Sequence, residues 1–214
     1  MRTRIVAALG VAGLVLGPVG CVSLKRTPEA QFYVLRSLAE PPPAQAGAGG
    51  QVGVLAVRLP GYLDRAQLVT ELDDHRLRID EYARWAELLP SAVTRTVAEN
   101  LAILLPETRV LQYPWRAHEP LRCRVAVDLR VLAPQGDGTV RLEGRWSLLP
   151  EGEEGPLVIR PVALRRGPQP VGAQGIASGP AVGAMSELLA DLSREIAAAV
   201  RALPAGRGPG APDP

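Results

Sequence analysis

The sequence predicts an α+β fold, a two-layer sandwich in which two long amphipathic helices cover one face of a largely antiparallel or mixed sheet. Three observations support this prediction. Two long segments carry apolar residues at helical spacing, two others alternate apolar and polar residues, and the order of elements is strands, helix, strands, helix. The two helices bury their apolar stripes most economically against the apolar face of one sheet.

The N-terminal segment, residues 1–20, has the layout of a secretory signal peptide. A short arginine-containing segment precedes an apolar run over residues 5–16, and small residues then lead to Cys21. This run is shorter than the roughly 20 residues that a membrane-spanning helix needs. A cysteine directly after small residues predicts a lipoprotein signal, with Cys21 acylated. Because Pro18 stands where such signals usually have leucine, an ordinary secreted protein with an incidental Cys21 is the alternative.

The sequence predicts one exported domain. Residues 21–30 are expected to form a lipidated tether, 31–204 a single α+β domain and 205–214 a disordered tail. Val22 follows the cysteine, and no aspartate is there to favour inner-membrane retention, so we expect the periplasmic face of the outer membrane. The net charge of +2 provides no strong field for nucleic acid. Cys123 would be the one remaining thiol, which excludes an intramolecular disulfide.

The first half of the domain is expected to contain five strands and one helix. The strands are predicted from short apolar or alternating runs over residues 31–38, 52–59, 68–72, 76–82 and 110–113. The third and fourth form a hairpin around Asp73 and Asp74. Apolar residues at helical spacing predict the first helix over residues 85–105, which Pro106 ends.

The second half contains the clearest strand pattern. Residues 121–131 and 140–148 alternate apolar and polar side chains around a Gly-Asp-Gly turn, which predicts an antiparallel hairpin with one buried face. This pattern places Cys123 and Trp146 on the buried face. A further strand over residues 157–164 is expected at a sheet edge because it contains a proline.

The second helix is expected to follow Ser178, with Pro180 in its first turn. Its predicted apolar stripe consists of Met185, Leu188, Leu189, Leu192, Ile196, Val200 and Leu203.

Residue patterns typical of enzymes or metal sites are scarce. His75 and His118 fall in expected loops, and the sequence has no HxxH, HxxxH or CxxC spacing. The glycine-rich segment 47–50 precedes a strand, whereas a phosphate-binding loop follows one. Ser178 misses the spacing of a nucleophile elbow. We therefore expect no catalytic residue, no metal and no cofactor.

Several short motifs occur in a characteristic order. They are LPGYLDR at 59–65, HRL at 75–77 and RWAE at 84–87. In this order and spacing they resemble the ABC-type transport auxiliary lipoprotein family, which includes the PqiC lipoproteins. This sequence departs from the family pattern at Ala66, His75 and Leu88, where proline, asparagine and proline are usual. The resemblance continues through residues 98–101, 113–115, the predicted hairpin up to Trp146, and 185–197.

The resemblance implies a non-enzymatic lipoprotein that works beside an MCE-type, ATP-driven lipid transporter. In such systems an inner-membrane permease and ATPase are joined to periplasm-spanning MCE proteins, and the auxiliary lipoprotein docks the outer end. The implied partners are an MCE protein, further copies of this chain and the membrane, reached through lipid on Cys21. The alternative is a stand-alone carrier of lipid or another apolar ligand, which requires a cavity between helices and sheet.

Eight residues are candidate contacts for a partner or for lipid, since aromatic and arginine side chains are favoured at interfaces. They are Tyr62, Leu63, Asp64, Arg65, Arg84, Trp85, Tyr113 and Trp115. The alternative is a local structural role for each. Tyr62 and Leu63 would then pack into the core while Asp64 pairs with Arg65. Trp85 would staple the start of the first helix, and Tyr113 and Trp115 would cover the core edge.

Overall fold

The computed structural model describes residues 28–42, 49–115, 120–150, 155–172 and 175–203. The predicted signal peptide, most of the tether with Cys21, His118 and the predicted tail lie outside these residues. Within them, neither helix combines the length and the apolar character that spanning a bilayer requires.

The described residues form ten strands and two helices. In chain order the strands are β1 (Gln31–Tyr33), β2 (Gln51–Val54), β3 (Gln67–Asp73), β4 (Arg76–Trp85), β5 (Arg109–Gln112), β6 (Cys123–Pro134), β7 (Val140–Leu149), β8 (Val158–Arg166), β9 (Val171–Gly172) and β10 (Gly175–Ile176), and the helices are α1 (Leu89–Leu104) and α2 (Ser178–Ala202).

The strands form two mixed sheets and one short separate pair. The main sheet has the order β5-β2-β6-β7-β8, with β2 parallel to both neighbours and β6, β7 and β8 antiparallel. The predicted hairpin of β3 and β4 is confirmed, but it joins β1 in a smaller sheet of order β1-β4-β3 instead of extending the main sheet. It meets the main sheet at a bridge between Glu71 and Gln135.

Both helices cover the main sheet and pack against each other, which confirms the predicted α+β sandwich. The first helix, α1, lies over β2 and β5, while α2 lies over β6, β7 and β8. The predicted stripe of α2 is buried from Met185 to Val200, and Leu203 packs at its end. Each fully buried leucine or methionine contributes roughly 1.5–3 kcal/mol relative to an exposed one. This interface therefore supplies a large part of the folding free energy.

The strand predictions for the second half are confirmed. The β6–β7 hairpin pairs Val127 with Trp146, and both side chains are buried in the core. Its turn contains Gly138, whose φ of 90° is a conformation that glycine adopts without strain. The last strand of the main sheet, β8, lies at the edge and carries Pro161, as expected.

The first helix begins later than predicted, at Leu89 instead of residue 85. Trp85 is the last residue of β4, where its N–H donates to the carbonyl of Ala66 at 2.7 Å. It therefore does not staple the helix start. Glu87 also lies outside the helix, where its carboxylate accepts a hydrogen bond from Arg95 at 2.5 Å.

Two predicted strands are shorter than expected. The segment predicted over residues 52–59 pairs regularly only as far as Val54 and meets β6 again at a single bridge between Arg58 and Asp128. The segment predicted over residues 31–38 leaves the sheet after Tyr33. Its continuation, residues 34–39, is called the strap below, because it crosses α1 and α2.

Side chains of both helices hold the backbone of the strap. In α1, the buried Asn100 accepts hydrogen bonds through Oδ1 from the Ser37 hydroxyl at 2.7 Å and from the N–H groups of Leu38 and Ala39 at 3.1 and 3.0 Å. In α2, Ser186 Oγ accepts from the N–H of residue 36 at 3.1 Å. Helix side chains thus satisfy part of the hydrogen-bonding capacity of the strap backbone, in place of a neighbouring strand. Strand-like alternation in the sequence does not reveal such partners.

Replacing Asn100 by alanine is expected to lower the free energy of unfolding by about 2–4 kcal/mol, because three donors lose their shared acceptor at a partly buried site. Urea unfolding followed by circular dichroism measures the change. The control is Glu99→Ala on the same helix, which removes an exposed ion pair with Arg95 and should cost at most about 0.5 kcal/mol. Equal losses in the two variants would show that Asn100 does not fix the strap.

Candidate partner-binding site

The face of the main sheet that the helices leave uncovered is called the outer face below. Ion pairs occupy its middle. Asp128 on β6 accepts from Arg145 on β7 at 3.0 Å and from Arg58 at 3.3 Å. Pairs this exposed add little stability, so they mainly give the face its polar, arginine-rich character. A cleft and an aromatic pair lie towards its two ends.

The cleft lies where the β3–β4 hairpin meets the end of the β6–β7 hairpin, and it has a volume of about 420 Å³. It is lined by Tyr62, Glu71, Asp73, Asp74, His75, Arg76, Leu77, Gln135 and Arg141. Most of these side chains are charged or polar. The cleft therefore suits polar groups, not an acyl chain.

Glu71 is the centre of the hydrogen bonds in the cleft. Its carboxylate accepts from the Tyr62 hydroxyl and from Gln135 Nε2, each at 2.8 Å, and Arg141 Nη1 lies 3.9 Å away. Burial raises the pKa of Tyr62 well above its ordinary value, and the hydrogen bond and charge of Glu71 raise it further. The phenol thus stays protonated and acts as a donor that ties the 59–65 loop to β3.

His75 forms the tip of the β3–β4 hairpin. Its backbone N–H donates to Asp73 at 3.0 Å. Hydrogen bonds from the Arg76 side chain and from this N–H lower the pKa of the Asp73 carboxyl. Within the described parts of the chain, no group of three or more His, Cys, Asp or Glu residues is placed to hold a metal ion.

The candidate contact residues before and within β4 divide between core and surface. Leu63 and Trp85 are buried in the core. Asp64 is exposed, and Arg65 is half-buried with its Nε unpartnered. Both residues are described, and no ion pair joins them. Arg84 is half-buried, and its Nε donates to the carbonyl of Glu81 at 3.1 Å.

Tyr113 and Trp115 form an aromatic pair just after β5. Their ring centroids lie 5.4 Å apart and their planes are nearly perpendicular, at 87°, which is a favoured edge-to-face geometry. Trp115 packs over Gly53 in β2, where an added Cβ would lie 2.8 Å from the indole ring. Tyr113 remains 54% exposed. The Trp115 ring is therefore held against β2, while the Tyr113 ring remains accessible.

The two features lie far apart. Gly53 pairs with Arg124 at the start of β6, whereas Glu71 bridges Gln135 just beyond its end. These two β6 positions are 11 residues apart in sequence (135 minus 124), which at about 3.3 Å per residue separates the features by about 35 Å. The structure therefore does not bring the eight predicted residues into one site.

Sequence reasoning missed Glu71, Gln135 and Arg141. The alternation of apolar and polar residues on β7 placed Arg141 on the solvent-exposed face, and this was the available sequence signal for it. Its contact with Glu71 depends on two hairpins that meet only in the folded chain.

Cys123, at the start of β6, is buried as predicted, with 0% of its surface exposed. Burial raises the pKa of its thiol from 9.0 to about 11. A thiol in this environment is protected and unreactive at neutral pH.

Gly53→Ala is expected to displace Trp115, because the new methyl group would overlap the indole ring and the Leu121 side chain. We expect a loss of about 1–3 kcal/mol in stability and a shift of tryptophan emission. Gly183→Ala on α2 is the control, since nothing lies within 4 Å of the added carbon there. If both variants kept wild-type emission and stability, the placement of Trp115 over the strand would be wrong.

Cys123 is expected to resist thiol reagents at pH 8 in folded Cys21→Ser protein, where it is the one thiol, and to react fully in urea. Because the folded state holds the proton more tightly, its contribution to stability is complete below pH 9.0 and is lost as the pH rises towards about 11. Urea unfolding across this range measures the loss. The further replacement Cys123→Ala should remove this pH-dependent loss of stability. Rapid labelling of the folded protein would contradict the burial of Cys123.

Comparison with solved structures places the fold among known ones. A Xanthomonas campestris protein of the DUF330 family has a TM-score of 0.66 and 16% identity, with 78% of this chain and 93% of that chain covered. The crystal structure of an uncharacterized protein has a TM-score of 0.63 and 22% identity, with 81% and 99% covered. These likenesses establish the fold alone.

The search of curated proteins found no significant match. The profile of a family described as the ABC-type transport auxiliary lipoprotein component matches residues 33–197, which is most of the chain. The chain therefore belongs to the ABC-type transport auxiliary lipoprotein component family.

Proposed function

We propose that the chain is a non-enzymatic, lipid-anchored component of an ABC-type lipid transport system, and that it docks the periplasm-spanning MCE protein at the periplasmic face of the outer membrane. Membership of the auxiliary lipoprotein family over residues 33–197 carries this proposal. The family's role is that of an auxiliary transport component. Lipid as cargo, the MCE protein as partner and assembly with further copies of the chain are parts of the proposal.

Anchoring is assigned to Cys21. The apolar run and small residues before this cysteine support export and acylation. Each buried acyl CH₂ contributes about 0.8 kcal/mol to membrane binding, so several chains hold a protein where one holds it only reversibly. On this proposal, the folded domain stays at the membrane surface through its lipid.

Docking is assigned to the outer face, at the end that carries the aromatic pair. Tyr113 is the most accessible aromatic ring among the eight candidates, and its support on Trp115 and Gly53 limits the entropy lost on binding. Buried residues such as Leu63 and Trp85 contribute by holding the loop and strand in place. Arginines on β6 and β7 extend the polar surface around the pair, an arrangement typical of protein interfaces.

The structure favours docking over a stand-alone carrier. A carrier would need an apolar cavity between the helices and the sheet. Met185, Leu188 and Leu192, which face that interface, are fully buried by packing. The cleft on the other side of the sheet is lined mainly by charged and polar groups.

A photo-crosslinking amino acid at Tyr113 is expected to capture an MCE-domain protein in the intact cell envelope, identified by mass spectrometry. The same amino acid at Glu195, an exposed residue on α2, is the control and should not capture it. Capture from both positions, or from neither, would contradict the assigned surface. Absence of any MCE protein among products from further outer-face positions would reject the docking function.

Cys21→Ser separates anchoring from docking in this experiment. If the unanchored variant loses the crosslink in cells but regains it when the MCE protein is added in detergent, Cys21 provides location and the outer face provides contact. Loss under both conditions would contradict a contact made by the folded domain alone.

A further inference from the structure

After the tether, four side chains at alternate positions point outward from the same side of the chain. They are Phe32, Val34, Arg36 and Leu38, and they are called the outward row below. Phe32, Val34 and Leu38 are 65%, 38% and 43% exposed, and the residues between the members of the row point towards the fold. Leu35, in the middle, is fully buried in the core. The alternation therefore divides this segment into an anchored side and a free apolar side.

The row cannot turn its apolar side chains inward, because the strap backbone is fixed. The buried side chains of Asn100 and Ser186 accept hydrogen bonds from its N–H groups. Arg95 donates to the carbonyl of Leu35 at 3.2 Å. Because the backbone holds these apolar side chains outward, they form a surface that loses little conformational entropy when another apolar surface covers it.

The position of the row in the chain points to what covers it. Gln31 follows Cys21 by 10 residues, so a fully extended tether reaches at most about 35 Å. Lipid on Cys21 would therefore keep the start of the row, next to Gln31, within about 35 Å of the bilayer. A short tether raises the effective concentration of the row at the bilayer, so that a few apolar side chains are enough to hold it in contact with lipid.

We propose that the outward row rests on the lipid surface, which turns the helix layer towards the membrane and leaves the outer face of the main sheet free for a partner. This inference rests on the proposed acylation of Cys21. Phe32, Val34 and Leu38 enter the boundary between headgroups and acyl chains, while Arg36 reaches the lipid phosphates with its guanidinium. The anchor fixes the distance to the membrane, and the row fixes the orientation of the domain.

Fluorescence quenching in vesicles tests the orientation. The full lipidated protein carrying Leu38→Cys is labelled with bimane and reconstituted into vesicles of phosphatidylethanolamine and phosphatidylglycerol that contain nitroxide-labelled lipid. Acylated Cys21 and buried Cys123 leave the introduced thiol as the reactive one. The control is Ile159→Cys on β8, which lies on the outer face and is 59% exposed, more than Leu38. Val34→Cys is a second reporter for the row.

Labels at positions 38 and 34 are expected to be quenched by the nitroxide at least about threefold more than the label at 159, because such quenching acts near contact and the row lies at the headgroup boundary. Equal quenching, or stronger quenching at 159, overturns the inference. So does shielding of position 38 from aqueous iodide without nitroxide quenching, which would place a second copy or another protein on the row.

Flotation and mass analysis of the same samples separate the two proposals. Protein that carries acyl chains and floats with the vesicles, but shows no quenching at positions 38 and 34, overturns the orientation and leaves the proposed anchoring intact. Protein without acyl chains on Cys21 that stays behind in the flotation gradient overturns both.

Discussion

The fold depends on one constraint: both amphipathic helices bury their stripes on the same face of the main sheet. Side chains from Met185 to Val200 on α2 meet the inward side chains of β6 and β7, among them Trp146. Once this face is used, the alternation on both strands leaves polar and charged residues for the outer face. The helices in turn have a second side to cover, and the strap occupies part of it through Asn100 and Ser186. The polar outer face and the fixed outward row are thus two results of the same packing.

Periodicity in the sequence predicts which segments become helices and strands, because side-chain burial follows the period of each element. It fails where the hydrogen-bond partner is distant in sequence. Residues 31–38 show strand-like alternation throughout, yet the backbone finds a strand only up to Tyr33 and helix side chains afterwards. In the same way, Trp85 fits the helical pattern that follows it, but pairing with β1 keeps it in β4. Both errors concern tertiary hydrogen bonds, which a local pattern does not encode.

The candidate site was less predictable than the fold. Tyr113 and Trp115 could be recognised as aromatic residues at a strand end, but their geometry depends on Gly53, whose missing side chain leaves room for the indole ring. A glycine inside a short apolar strand is a weak signal for such a contact until the packing residue is known. The cleft was harder still, since Glu71 and Gln135 are separated by 64 residues and meet only where two hairpins touch.

The two proposed contact surfaces, the outward row for lipid and the outer face for a partner, make different demands, and they lie on different layers of the fold. A surface that rests on lipid needs apolar side chains with little specificity, which Phe32 and Leu38 provide on the helix side. A surface that selects a protein partner needs directional contacts, and the outer face provides an aromatic ring together with arginines, whose planar guanidinium groups donate directional hydrogen bonds. A lipid chain alone would let the domain turn freely about its tether. The proposed contact of the outward row with the bilayer would remove much of that freedom before a partner arrives, so less entropy would be lost when the outer face binds it.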